Sequence, residues 1–181
     1  MNPRPLTHAE LVQISVRWLR TTRGCGVVLA EMVCANRLNI IPDALGWRAA
    51  AWSILVECKT SRADFLADRK KPIHQLPDSG PGQERWYITP PNLIKPEELP
   101  IGWCLAEVHG TRVKLIHPTK LWGGAVEGLY FNHERQASEV PFLLSACRRH
   151  QLSVPFYSKT AKFKPVDTHS KPVALAETED P

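Results

Sequence analysis

Residues 41–60 read Ile41-Pro-Asp-Ala-Leu-Gly-Trp47, then a connection from Arg48 to Ala51, then Trp52-Ser-Ile-Leu-Val-Glu-Cys-Lys-Thr60. Two apolar, β-branched or aromatic runs separated by a short step predict adjacent strands over 40–47 and 52–58. Side chains alternate across a strand, so Glu57 and Lys59 leave one face while Val56 and Cys58 leave the other. A carboxylate and an ammonium then close a buried strand, where charged groups are unusual unless paired or liganded. With Asp43 brought alongside by the preceding strand, two carboxylates and the Cys58 carbonyl form an oxygen-rich cup. Such a cup suits Mg²⁺ or Mn²⁺ retaining several waters. The cation would lower the pKa of a bound water and stabilise charge on a phosphate oxygen, while Lys59 orients that water or neutralises the transition state. That is the chemistry of metal-assisted phosphodiester hydrolysis. The alternative is a plain Glu57–Lys59 ion pair on the surface at a strand end.

Working outward, Thr7-His-Ala-Glu10 is a capping box, and the three- and four-residue spacing of Leu11, Ile14 and Trp18 and of Val12, Val16 and Leu19 predicts an amphipathic helix to about residue 20. Residues 27–35, with Glu31 in their middle, read as a strand, so the helix leads into an antiparallel meander. Thr60 and Ser61, with Asp64 three residues after Ser61, start a second helix running to about Lys71, and Pro72 ends it. Residues 73–84 contain Pro77, Gly80, Pro81 and Gly82 and read as a long loop beside the site. A strand follows over 84–89, then a hairpin of 103–108 with 112–116 turning at His109-Gly110-Thr111. A last helix is expected over 138–150, with Pro141 in its first turn and Leu143, Leu144 and Cys147 sharing a face. Beyond Pro155 the chain becomes polar, basic and then acidic. The domain reading is therefore one α/β domain over 5–155 and a flexible tail over 156–181.

The chain has 181 residues, enough for one ordinary domain. With 43% hydrophobic and 23% charged residues it can bury a core, which excludes fibrous and wholly disordered classes. A net charge of +5 suits a polyanionic partner without requiring one. The five cysteines are widely spaced, with no CxxC pair and no zinc-like Cys/His cluster, so they read as reduced thiols. The first residues lack the apolar stretch of a signal peptide, and no run reaches the roughly 18 apolar residues of a membrane span. A soluble, cytoplasmic protein is the expectation.

At these residues the chain resembles the PD-(D/E)XK nuclease superfamily, with Asp43, Glu57 and Lys59 at the motif positions. It is most similar to the MmcB-like DNA repair proteins and related phage-encoded proteins. Their strand–helix segment reads like VExKxSRxDFxxDxK, and Val56-Glu-Cys-Lys-Thr-Ser-Arg-Ala-Asp-Phe-Leu-Ala-Asp-Arg-Lys70 follows it. The likeness takes in the aromatic strand Trp86-Tyr87 and Leu99-Pro-Ile-Gly-Trp-Cys-Leu-Ala-Glu-Val108, and so spans about 27–118. It implies a restriction-endonuclease-like core, a central mixed β-sheet flanked by helices. It also implies a metal-dependent deoxyribonuclease acting in DNA repair, DNA processing or phage biology. Asp43, Glu57 and the Cys58 carbonyl would hold Mg²⁺ or Mn²⁺, Lys59 would assist the water, and Glu31 would be a further acid at the metal. The family's Lys-Trp after the second helix is Lys70-Lys71 here, and a Pro/Gly loop separates it from Trp86. Glu31 is otherwise a partner for Arg23 or Lys59.

Around this site Arg62, Arg69, Lys70 and Lys71 leave one helix, either to contact DNA phosphates or as a solvated face interleaved with Asp64 and Asp68. Ser61 is a helix cap or a phosphate contact. Arg85 with Trp86 and Tyr87 offers a basic, aromatic surface to DNA, unless these alternate strand residues are core. His74 is a proton donor or an ordinary loop histidine, and Trp103 and Trp122 read as packing. The competing function is a DNA- or protein-binding module on the same fold that does not cleave. RNA is open as a substrate, and a homodimer is a possible arrangement for cutting both strands.

Overall fold

The structure is a computed structural model that describes residues 4–34, 40–48, 52–75, 80–118 and 133–150. The expected tail from residue 156, and Trp122, lie outside them.

The capping box forms as the sequence predicts, with the Glu10 amide donating to the Thr7 hydroxyl and the Thr7 amide donating to the Glu10 carboxylate. Helix α1 runs His8–Thr21 and buries Leu11, Val12, Ser15, Trp18 and Leu19. Strands β1 (Val27–Ala30), β2 (Ala44–Arg48) and β3 (Trp52–Cys58) then form the antiparallel meander. Here β1 is shorter than expected: it stops at Ala30, and Glu31 takes a left-handed backbone with φ of 47°.

Helix α2 (Arg62–Asp68) is capped by Ser61, whose hydroxyl accepts the Asp64 amide. It ends at Asp68 rather than near Lys71, because tight turns follow in which the Lys70 and Lys71 amides donate to the Ala67 and Asp68 carbonyls. Pro72 opens a short helix α3 (Pro72–Gln75) instead of ending α2. A proline suits a first helical position, where its missing N–H is needed by no partner. The predicted loop therefore begins as helix, and its residues 76–79 lie outside the described ones.

Strand β4 (Glu84–Thr89) runs parallel to β3 and to β5 (Trp103–His109), and β5 turns back into β6 (Arg112–His117). The result is an α/β fold with a six-stranded mixed sheet in the order β1-β2-β3-β4-β5-β6. Alternation along the strands assigns the core to its two faces. Ile54, Val56, Cys58, Trp86, Ile88, Cys104 and Ala106 pack with α1, while Leu55, Tyr87, Trp103 and Leu105 pack with Phe65 of α2 and Phe142 of α4. Each of the larger aliphatic and phenylalanine side chains contributes on the order of 1.5–3 kcal/mol by leaving water.

Helix α4 runs His133–Arg149, so Pro141 sits inside the helix rather than in its first turn. Its packing face is also not the expected one. Phe142 is fully buried and Glu139 is buried, whereas Leu144 is half exposed and Cys147 is exposed. Glu139 explains the orientation: its carboxylate accepts the Ser53 hydroxyl at 2.5 Å, the Gly82 amide at 3.0 Å and the Trp47 indole N–H at 2.8 Å. A buried acid with three donors fixes which side of the helix faces the sheet. All five cysteines are free, and among the described residues no helix is long and apolar enough to cross a membrane.

A buried carboxylate–lysine cluster as candidate functional site

Alternation puts Glu57 and Lys59 at the carboxyl end of β3, on the sheet face that carries α2. Both are buried, at 8% and 4% exposure, which rules out the plain surface pair. The Lys59 ammonium lies 3.0 Å from Glu57 Oε2 and 3.1 Å from Asp68 Oδ1. Asp43, just before β2, reaches the same strand end, where its Oδ2 accepts the Cys58 amide at 2.6 Å. The three residues of the sequence motif are thus brought together.

Their electrostatics follow from burial. Loss of water pushes the Glu57 carboxyl up to about 7, because the nearby Asp43 and Asp68 charges add to burial and the Lys59 ammonium only partly offsets it. Burial likewise raises Asp43, against the opposing effects of the Cys58 amide and the Lys59 charge. For Lys59, burial acts downward, but Glu57 and Asp68 outweigh it and hold the ammonium above its ordinary value. The cluster therefore contains two acids destabilised as anions beside a lysine fixed as a cation.

Cys58 and Glu31 occupy different positions. The Cys58 thiol points to the α1 face, 3.3 Å from the Ser15 hydroxyl, and its own pKa is driven far up by burial, so only its backbone carbonyl suits a hard cation. The Glu31 amide donates to the Asp43 carbonyl at 3.2 Å, but its half-exposed carboxylate sits 3.8 Å from His8 Nε2. Its partner is thus His8, not Arg23 or Lys59. His8 Nε2 is also 3.2 Å from Asp43 Oδ1. Among the described residues no group of three or more His, Cys, Asp or Glu side chains is arranged to hold a metal ion. A cation here would rest on Asp43, Glu57, the Cys58 carbonyl and water, a donor set of the kind Mg²⁺ uses. The raised pKa values of both acids fit such a charge, since a cation relieves what burial and mutual repulsion impose.

The basic residues separate into two groups. Arg69 and Lys70 are exposed at the end of α2, and Lys71 is half exposed with its ammonium 2.6 Å from Asp68 Oδ1. Arg62 is exposed but paired with Glu98. Arg85 is a correction: it is 2% exposed, and its guanidinium donates to the Gly82, Ile73 and Gly80 carbonyls, so it shapes the segment before β4 and offers no surface to a phosphate. Trp86 and Tyr87 are fully buried and present no stacking face, and Trp103 is packing as expected. Ser61 is the helix cap.

Two residues read from the sequence in other roles, Asp68 as part of a solvated helix face and His74 as a proton donor or ordinary loop histidine, join the cluster. Asp68 is buried at 3% exposure, with Oδ2 accepting the Tyr87 hydroxyl at 2.8 Å and lying 2.9 Å from His74 Nε2. The His74 ring stacks against Tyr87 and lies 4.6 Å from the Trp103 ring, and its Nδ1 is buried with no hydrogen-bond partner among the described residues. Nε2 is the ring nitrogen that meets Asp68. Only the sequence step from Phe65 to Asp68, one helical turn, signals that Asp68 shares the buried face of α2.

No family model and no curated protein matches the chain. Among solved structures, the SPO1766 protein of unknown function from Silicibacter pomeroyi is similar, at 23% sequence identity and a TM-score of 0.57, over 83% of this chain and 92% of that one. At that identity the likeness concerns the fold.

Proposed function

We propose that the chain is a metal-dependent nuclease that hydrolyses phosphodiester bonds in DNA, on a restriction-endonuclease-like core of the PD-(D/E)XK type. The observation that carries this reading is the convergence of Asp43, Glu57 and Lys59, two buried acids and a buried lysine, at the carboxyl end of one strand. In open α/β sheets that end is where ligands bind. Asp43, Glu57 and the Cys58 carbonyl would hold Mg²⁺ or Mn²⁺, which supplies a lowered water pKa and charge stabilisation on phosphate. Lys59, fixed as a cation, is suited to neutralise charge developing on a phosphate oxygen and to orient the attacking water. Arg69 and Lys70, exposed beside it, are suited to backbone phosphates. The similarity of the 56–70 segment to DNA repair and phage-encoded proteins supports DNA as the polymer.

A second reading is a DNA-binding module that does not cleave. It is favoured by the absence of a third metal-ligating side chain among the described residues and by the engagement of Asp43 with Cys58 and of Glu57 with Lys59. Titration calorimetry with Mn²⁺ and Mg²⁺ separates the two. Saturable binding to the wild type that is lost in Glu57→Gln is expected for the nuclease, and heats indistinguishable between the two proteins favour the binding module.

A further inference from the structure

Glu57 is not the sole anion beside Lys59. Asp68 Oδ1 pairs with Lys59 at 3.1 Å, against 3.0 Å for Glu57 Oε2; the Glu57 contact is a hydrogen bond and the Asp68 contact an ion pair by proximity, made from a different element, the last residue of α2. Three further groups hold that carboxylate: the Tyr87 hydroxyl of β4, the His74 imidazole of α3 and the Lys71 ammonium. A lysine between two acids keeps its place if one of them is given another task, provided the other is itself immobile.

We propose that Asp68 is the positioning residue for Lys59, and that Tyr87 and His74 hold Asp68 for that purpose. The inference rests on the nuclease reading, in which Glu57 is drawn into binding a cation and its hold on Lys59 weakens as like charges meet. Asp68, held by Tyr87, His74 and Lys71 and not among the donors named for the cation, retains the lysine. Burial acts against the Asp68 carboxylate, yet the His74 hydrogen bond, the Lys59 charge, and the Lys71 and Tyr87 bonds together hold it well below the ordinary aspartate range, so it stays an anion throughout the neutral range. Its two oxygens divide the work, Oδ1 on the ammonium groups and Oδ2 on the phenol and imidazole.

The test compares wild type with Asp68→Asn, which keeps the side-chain volume and an acceptor for Tyr87 but removes the charge, and with Tyr87→Phe, which releases the holder. Phe65→Leu, which loosens α2 and its edge-on packing against the Tyr87 ring but removes no polar group of the cluster, is the control. Acetic anhydride labelling of the metal-free full-length protein, read lysine by lysine by mass spectrometry against exposed Lys114, reports how firmly Lys59 is held without any appeal to activity. Asp68→Asn should raise the Lys59 rate by about tenfold, with Tyr87→Phe changing it in the same direction by less. DNA cleavage by Asp68→Asn should lose kcat at an unchanged KM. An unchanged Lys59 rate in both folded variants, or an equal rise in Phe65→Leu, overturns the proposal. A wild type that cleaves no DNA counts against the nuclease reading instead, and the labelling still decides whether Asp68 holds Lys59.

Discussion

The Cys58 amide donates to Asp43 Oδ2 at 2.6 Å, so the acid that precedes β2 is latched to the residue standing between Glu57 and Lys59. The β2–β3 ladder sets the strands, and this hydrogen bond ties the Asp43 carboxylate to their end beside Glu57. Asp43→Asn can keep the latch through its amide oxygen while losing the charge. We expect it to fold with an unchanged melting temperature and to lose metal-dependent cleavage by on the order of 10²–10³-fold, the scale on which removal of one electrostatic contributor to a transition state acts. Asp43→Ala leaves the buried Cys58 N–H without its acceptor, and should lower stability by about 1–3 kcal/mol as well. Thermal unfolding of the two variants beside activity distinguishes charge from latch.

Glu57 gives a pH dependence with a definite sign. Its carboxyl is raised from 4.5 to about 7 in the folded chain by burial, assisted by Asp43 and Asp68. Between those values the folded protein keeps a proton that the unfolded chain has released, so the stability of the metal-free protein falls as pH rises from about 4.5 to about 7 and then levels. Glu57→Gln should flatten that slope, which melting curves across this window would show. A wild-type slope of the opposite sign there would contradict the electrostatics described for the cluster.

Glu139 anchors α4 by accepting from the buried Ser53 and Gly82 and the partly buried Trp47, and Gly82 has φ of +85°. Glu139→Ala removes the shared acceptor of the Ser53 hydroxyl, the Gly82 amide and the Trp47 indole N–H, and should cost roughly 2–4 kcal/mol in denaturant unfolding. Gly82→Ala should also destabilise, since its Cβ would fall 2.5 Å from the Leu55 Cβ in a backbone region that side chains disfavour.

Arg69 and Lys70 are exposed cations at the rim, whereas Arg62 is engaged with Glu98. Alanine at either Arg69 or Lys70 should weaken duplex binding about equally across sequences and reduce the slope of log affinity against log salt by about one, as loss of a phosphate contact does. Arg62→Ala should change the slope less. Fluorescence anisotropy over a salt series measures all three.

Much of this arrangement is legible in sequence because its signals are local. Alternation over Trp52–Cys58 gives the face of Glu57, the Thr7–Glu10 pair gives the start of α1, and the prolines after Thr89 bound β4. The rest depends on tertiary placement. Arg85 and Tyr87 look like a nucleic-acid surface until the sheet buries them between helices, and Asp68 and His74 join the site only because α2 and α3 fold back over β4. On helix α4 the apolar spacing of Leu143, Leu144 and Cys147 misleads, because a single buried glutamate with three donors outweighs it in choosing the packed side.

The proposed nuclease requires Lys59 to act with Asp43 and Glu57 in cutting DNA. The most direct measurement is cleavage of supercoiled plasmid, linear duplex and single-stranded DNA in Mg²⁺ or Mn²⁺ by wild type and by Lys59→Ala at equal folded concentration. Metal-dependent cleavage by the wild type, abolished in Lys59→Ala with DNA binding retained, is the predicted result. Binding without cleavage in either metal, or cleavage undiminished in Lys59→Ala, would contradict it.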